Sequence, residues 1–244
     1  MNPRTTDKVA KVILWATGYL LIAILVVFIG YMLYKGLPVL TPHFLFSASS
    51  DTEAGGGIAG QLFNTFYILF LSMVISGVIA VGAAIYLAEY APNNLVTRFI
   101  RLSTESLATI PSIVLGLFGM IIFVDFLGLG FSIIGGSLAL SLLNLPLLVR
   151  VTEDALRQVP NTYREASLAL GATKWQTIYK VVLPTAFGSM VTGFMLAAGR
   201  AIGESAILIF TAGTTVARQI GDFDLLAAGE TLAVHLWYVM IKPH

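Results

Sequence analysis

From residue 12 to residue 34 the chain runs for 23 residues without a charged side chain. A helix needs about 20 apolar residues to cross the hydrocarbon of a bilayer. Uncharged runs of that length recur within 54–88, at 106–124 and at 126–149, and a fifth, 181–217, is interrupted only by Arg200 and Glu204. Repeated runs of this length fix the fold class as all-α, a polytopic membrane helical bundle. Only 11% of residues are charged, against about 25% in a soluble domain. Such a chain cannot cover its outside with charge, so its outside faces lipid.

The spans are expected at about 12–34, 61–88, 104–124, 130–149 and 179–211, in a single membrane domain over 1–244. The glycine-rich start of the second run, 54–60, reads as a loop, and 127–130 (Leu-Gly-Leu-Gly) as a tight turn. The first run is too long for a signal-peptide core and no cleavage pattern follows it, so a retained helix is expected. With no cysteine, thiolate metal sites and disulfides are excluded. His43, His235 and His244 lack metal-ligand spacing. The basic residues are dispersed between apolar runs, which argues against nucleic acid.

Lysine and arginine in short loops set orientation. Arg4, Lys8, Lys11, Arg98, Arg101, Arg150, Arg157, Arg164, Lys174 and Lys180 fall on one side; Lys35, Arg218 and Lys242 fall on the other. Ten against three puts the N-terminus and the 150–178 loop in the cytoplasm. Five spans then leave the C-terminus outside. The mildly apolar stretch 232–241 is short for a span and is expected to be interfacial or re-entrant, with Trp237 and Tyr238 at headgroup level.

Two short helices are expected in the cytoplasmic loop. The first spans 152–158, before Pro160. The second is capped by Asn161 or Thr162, with Glu165 in its first turn. It sets Ala166, Ala169 and Leu170 on one face, and Gly171 stops it. A small-faced exposed helix suits docking into a partner's groove, or else lies on the membrane as an ordinary surface loop.

In the fifth run Arg200 and Glu204 are four residues apart, hence on one face if the helix is continuous. Charges at that depth cost about 2.5–3.5 kcal/mol each and face a bundle interior or a water-filled path. Arg200 is either an anion ligand, its guanidinium matching phosphate-type oxygens and Glu204 holding it, or half of a structural staple. Pro111 is expected to kink span three, with Ser112 beside it bonding a freed carbonyl or lining a path. Asn144 and Pro146 in span four suit interhelical packing. Glu105 is expected near Arg101.

The loop residues also carry a resemblance. Glu165-Ala166-Ser167, then Gly171, then Val181, Leu183 and Pro184 resemble the EAA loop of the MetI-like ABC-importer permeases, with Ser and Val as mild departures at two positions. The segments Ala84-Ile-Tyr-Leu-Ala-Glu-Tyr-Ala91, Ile110-Pro-Ser-Ile-Val-Leu-Gly-Leu-Phe-Gly119 and Gly199-Arg-Ala-Ile-Gly-Glu-Ser205, with Leu208 to Gly213, are similar to the phosphate-importer permeases, the A type (PstA) more than the C type (PstC). The resemblance implies a MetI-like fold and alternating access. It implies that Glu165, Ala166, Ser167 and Gly171 couple to an ATPase, and that Arg200, Glu204, Ser205 and Ser112 line the substrate path. It implies a PstC-type second permease, a homodimeric PstB-type ATPase binding ATP and magnesium, and an extracytoplasmic phosphate-binding protein. This chain, with no nucleotide-binding G-x-x-x-x-G-K-[ST] of its own, would bind no cofactor and catalyse no covalent step, in a bacterial inner membrane. Family members usually carry a sixth span near the C-terminus, which leaves a sixth open here. Open too are another oxyanion such as sulfate or molybdate, an ATP-independent secondary transporter, and a membrane scaffold.

Overall fold

The computed structural model describes residues 3–49, 56–215, 221 and 223–241, with side chains from Asp7 onward. Arg218, Lys242, His244 and the side chain of Arg4 lie outside the described residues. Every regular element among those described is helical: α1 (Pro3–Gly36), α2 (Pro42–Phe46), α3 (Ala59–Ile85), α4 (Leu95–Ala108), α5 (Ser112–Gly119), α6 (Ile133–Gln158), α7 (Asn161–Ala169), α8 (Lys174–Thr177), α9 (Leu183–Ile202), α10 (Ala206–Thr211) and α11 (Leu232–Ile241). Three π-helical segments extend them: Tyr86–Tyr90 after α3, Met120–Phe126 after α5, and Ile178–Val182 between α8 and α9. Among the described residues four helices are long and apolar enough to cross a bilayer, and α4 and α5 reach that length only as a bent pair.

The span boundaries follow local chemistry. Ser132 caps α6 by accepting from the Gly135 N–H, and Asn94 caps α4 by accepting from Thr97. The 127–130 turn uses positive φ at Gly128 and Gly130, a region closed to most other residues. α1 carries none of its apolar window buried; its side chains point outward along the whole run.

α3 and α6 run parallel, and α9 runs antiparallel to both. Ile68 of α3, Leu140 of α6 and Ala201 of α9 share one buried cluster. Ala80, Leu148 and Ala197 share the next, and Ala84, Leu156 and Ala186 the third, near the end that carries the loop. Small residues let these helices approach closely, which is how packing rather than hydrophobicity holds membrane helices together. At Gly193 of α9 a Cβ would stand 2.0 Å from Val151 Cγ1 of α6, so only glycine fits that crossing.

Several expectations need correction. Span three is not one kinked helix over 104–124. Helix α4 stops at Ala108, and α5 starts after Pro111 at 98° to it. Proline drives the preceding residue out of helical geometry, and 95–108 is strongly amphipathic, unlike a lipid-buried span. Pro111 is therefore the cap of α5. Glu105 does not meet Arg101: Arg150 of α6 donates to Glu105 at 2.8 Å, and Arg101 turns to Glu153. The expected short helix at 152–158 is the last two turns of α6, because nothing stops the helix before Val159, whose extended ψ of 123° precedes Pro160. Pro160, not Asn161 or Thr162, takes the cap position of α7, and Glu165 lies beyond its first turn. The 232–241 stretch needs no such change: it is a ten-residue helix, α11, short for a span as expected, with Val234 buried in the cluster of Ile68 and Leu208.

The α6–α9 crossing gives a direct test. Gly193→Ala should lower stability by about 1–3 kcal/mol through overpacking. Gly188→Ala, where a Cβ meets nothing within 4 Å, should leave it unchanged. Thermal unfolding of the two variants in one detergent checks the contrast.

Candidate functional site

Span five breaks inside the bundle. α9 ends at Ile202, Gly203 caps it, and helix resumes only at Ala206. The expected continuous helix over 179–211 is therefore two helices, because Gly203 carries the propensity cost of glycine at the one point where the chain turns. The break lies inside the bundle: Ala201 shares a buried cluster with Ile68 and Leu140, both within helices long and apolar enough to cross a bilayer. Irregular backbone at such depth persists only where protein covers it or a water-filled cavity receives it.

Arg200 stands in the last turn of α9, exposed, where a cation also complements the helix dipole. Glu204 and Ser205 follow in the break, each half-buried. The break removes the shared helical face on which Arg200 and Glu204 were expected to pair. Among the described residues the ion pairs include neither. Ser112 is half-buried at the start of α5. It sits one turn from Gly116, where a Cβ would come within 2.9 Å of the Ala206 carbonyl of α10. The structure thus gathers Arg200, Glu204 and Ser205 at the break and sets Ser112 on the adjoining helix. Asn144 is buried, its amide nitrogen 3.9 Å from Met73 Sδ across the α3–α6 contact, which fits interhelical packing.

The second constellation lies at the loop end. Helix α7 buries none of its residues. Glu165, Ala166, Ala169 and Leu170 are exposed on it. Ser167 faces inward, its hydroxyl 2.9 Å from that of Thr177. Gly171, at φ +81°, closes the helix: its N–H donates to Leu168 and that of Ala172 to Ser167, a Schellman motif that requires left-handed backbone.

Arg164 anchors α7 from below. Its guanidinium donates twice to Glu89 Oε1, at 2.6 and 3.0 Å, and also to the carbonyls of Leu156 and Val159. Glu89 belongs to the π-helical turn that ends span two. Lys174 donates to the Glu89 carbonyl and lies 4.5 Å from the Tyr90 ring centroid. Arg101 and Arg157 both donate to the Leu87 carbonyl and both pair with Glu153 Oε1 at 3.0 Å. Three cations, Arg101, Arg157 and Lys174, thus satisfy the last carbonyls of span two, where the helix dipole is negative, and Arg164 holds the Glu89 carboxylate of the same turn.

Sequence reasoning used Arg157, Arg164 and Lys174 only to orient the chain, set Arg101 beside Glu105, and gave Glu89 and Glu153 no partner. A usable signal was present. Glu89 abuts the end of an apolar run on the side where ten basic residues gather, and a carboxylate there needs partners.

Broken spans around a charged residue, with a helical loop displayed at one end, define a membrane transport subunit. Residues 80–233 match the family model described as "Binding-protein-dependent transport system inner membrane component", and the chain belongs to that family, as a permease subunit of an ABC importer. It is 47% identical over 249 residues to a probable ABC transporter permease protein, YqgI, of Bacillus subtilis, covering 98% of this chain and 85% of the relative. It is 35% identical to a phosphate transport system permease protein, PstA 2, of Mycobacterium tuberculosis, covering 97% and 78%. The fold is similar to an inward-facing MetNI methionine ABC transporter structure, with TM-score 0.54 and 24% identity over 59% of this chain and 68% of that one. The MetI-like fold expected from the EAA loop is thereby established. Membership places the protein in a membrane as a multi-pass subunit and implies an ATPase and other permease chains as partners.

Glu153 is nearly buried while Arg101 and Arg157 are 31% and 45% exposed in their side chains. Solvent screens the arginines, so Glu153→Ala should cost about 2 kcal/mol, the range of charge-assisted hydrogen bonds. Thermal unfolding of the purified subunit complex measures it.

Proposed function

We propose that this subunit conducts inorganic phosphate into the cytoplasm by alternating access, passing it along Arg200 at the break in span five. The single observation that carries the reading is Arg200 itself: an exposed arginine with no ion-pair partner among the described residues, at a discontinuity inside the bundle. A guanidinium left open at such depth calls for an anion from elsewhere, and its fork matches phosphate oxygens. The phosphate permeases among its relatives support that choice of anion. Glu204, Ser205 and Ser112 are the other path residues.

In this reading the N-terminus and α7 face the cytoplasm. Glu165, Ala166, Ser167 and Gly171 form the docking surface for a homodimeric PstB-type ATPase, which binds ATP and magnesium. A PstC-type permease completes the path, and an extracytoplasmic phosphate-binding protein delivers the substrate. The open, small-residue face of α7 supports docking.

Two measurements test it. In proteoliposomes holding the assembled complex, ATP-dependent uptake of radiolabelled phosphate should fall at least about tenfold, or 1.4 kcal/mol, in Arg200→Gln, with the ATPase still bound. Unchanged uptake in the variant would make Arg200 structural. Uptake of sulfate or molybdate in place of phosphate would reassign the substrate. Separately, Glu165→Lys and Gly171→Trp should abolish co-purification of the ATPase or its coupling, Gly171→Trp because no bulky residue tolerates φ +81° without strain. Normal uptake in both would sink the docking role of α7.

A further inference from the structure

We infer that Glu89 is a positioning residue for energy coupling: it is the strut through which displacement of α7 is passed to span two. The inference rests on the proposed docking of an ATPase at α7 and goes beyond it, because Glu89 lies on another element, 75 residues away in sequence from its partner Arg164.

The geometry singles this residue out. α7 buries no side chain and lies against the π-helical turn Ile178–Val182 that opens span five. Among the described residues, two polar ties fix it further. One is the Ser167–Thr177 hydroxyl contact, which ties α7 to its own loop. The other is Arg164, which reaches both neighbouring spans at once: Glu89 on span two, and the Leu156 and Val159 carbonyls at the end of α6. The Glu89 and Arg164 side chains are only 7% and 18% exposed, so this pair is little screened by water. Lys174, from the far side of the loop, closes on the same turn through the Glu89 carbonyl and the Tyr90 ring. Both ends of the loop are therefore pinned to one π-helical turn.

That turn is itself linked onward. Its Leu87 carbonyl receives Arg101 from α4 and Arg157 from α6, and Glu153 joins those two arginines. A push on α7 is thus delivered through Arg164 to Glu89, and from the same turn to α4 and α6. α4 leads directly into α5, which packs on α10 beyond the break in span five. The chain of contacts runs from the docking helix, across the bend between α4 and α5, to α10, which follows the break after Arg200.

The test uses the assembled complex in proteoliposomes and reads ATP hydrolysed per phosphate imported. Glu89→Gln keeps the size of the side chain and removes its charge. It should retain the ATPase and hydrolysis while raising that ratio at least about fivefold, the low end of typical coupling energies. A purely structural role would lower uptake and hydrolysis together and leave the ratio unchanged. Glu89→Asp keeps the charge on a side chain one methylene shorter; it should assemble and give an intermediate ratio, and it decides the matter if Glu89→Gln fails to assemble. Because the chain lacks cysteine, a Glu89→Cys/Arg164→Cys pair can be bridged selectively with a short bismaleimide. Bridging should restore the wild-type ratio, which loss of a mere stability contact would not allow. Equal ratios in wild type, Glu89→Gln and Glu89→Asp overturn the inference alone. A wild-type complex that hydrolyses ATP without moving phosphate, sulfate or molybdate overturns the oxyanion reading of the proposed function, and the inference as stated with it.

Discussion

In hydrocarbon every backbone N–H and C=O must find a partner inside the protein, and the architecture is arranged around the places where helices fail to provide one. Span two ends in a π-helical turn that leaves carbonyls facing the loop end. Arginine and lysine side chains from α4, α6 and α8 fill them. The end of α6 is treated the same way, by Arg164. These cations cap carbonyls and at the same time tie together elements that share little apolar contact. Without them α7 would keep only its contact with the π-helical turn that opens span five.

Arginine suits these positions for a physical reason. One guanidinium offers five donors in a fixed plane, so Arg164 serves a carboxylate and two carbonyls together. Lysine could meet the charge but not the geometry. Glu89 and Glu153 then neutralise the cations locally. Each carboxylate is more buried than the arginines it holds, so the arginines shield it from solvent and bridge outward.

The spans were legible in the sequence because uncharged length is a strong signal and needs no tertiary information. The glycine turn at 127–130 and the stop at Gly171 were legible for a similar reason: each is a local backbone requirement. The breaks were not. Pro111 could be read as a kink or a stop, and only the amphipathic pattern of 95–108, weighed against the need for a continuous span, separates the two. Gly203 is one glycine among 23 in the chain, and nothing local distinguishes it as the end of α9. The pairings of Arg101, Glu105, Arg150 and Glu153 depend on how α4 lies across α6. Charge spacing along one helix misassigned Glu105, because the competing partner comes from a helix 45 residues later.

The two ends of the bundle are fastened by unlike means, and the break lies between them. At the end opposite the loop, the buried Glu230 accepts from Gln61 of α3 and pairs with His235 of α11 at 2.8 Å. Thr65 of α3 caps the Leu232 N–H. At the loop end the ties are the arginine–carboxylate set. Between them, α9 and α10 meet at three non-helical residues, and α5 touches α10 through glycines that admit close backbone approach. Packed helices do not deform smoothly; they shift as units at interfaces and breaks. With both ends fastened, 203–205 and 109–111 are the interruptions of helix that lie between them among the described residues. Arg200 stands at the first of these, so a movement that opens or closes the bundle there also changes what surrounds its charge.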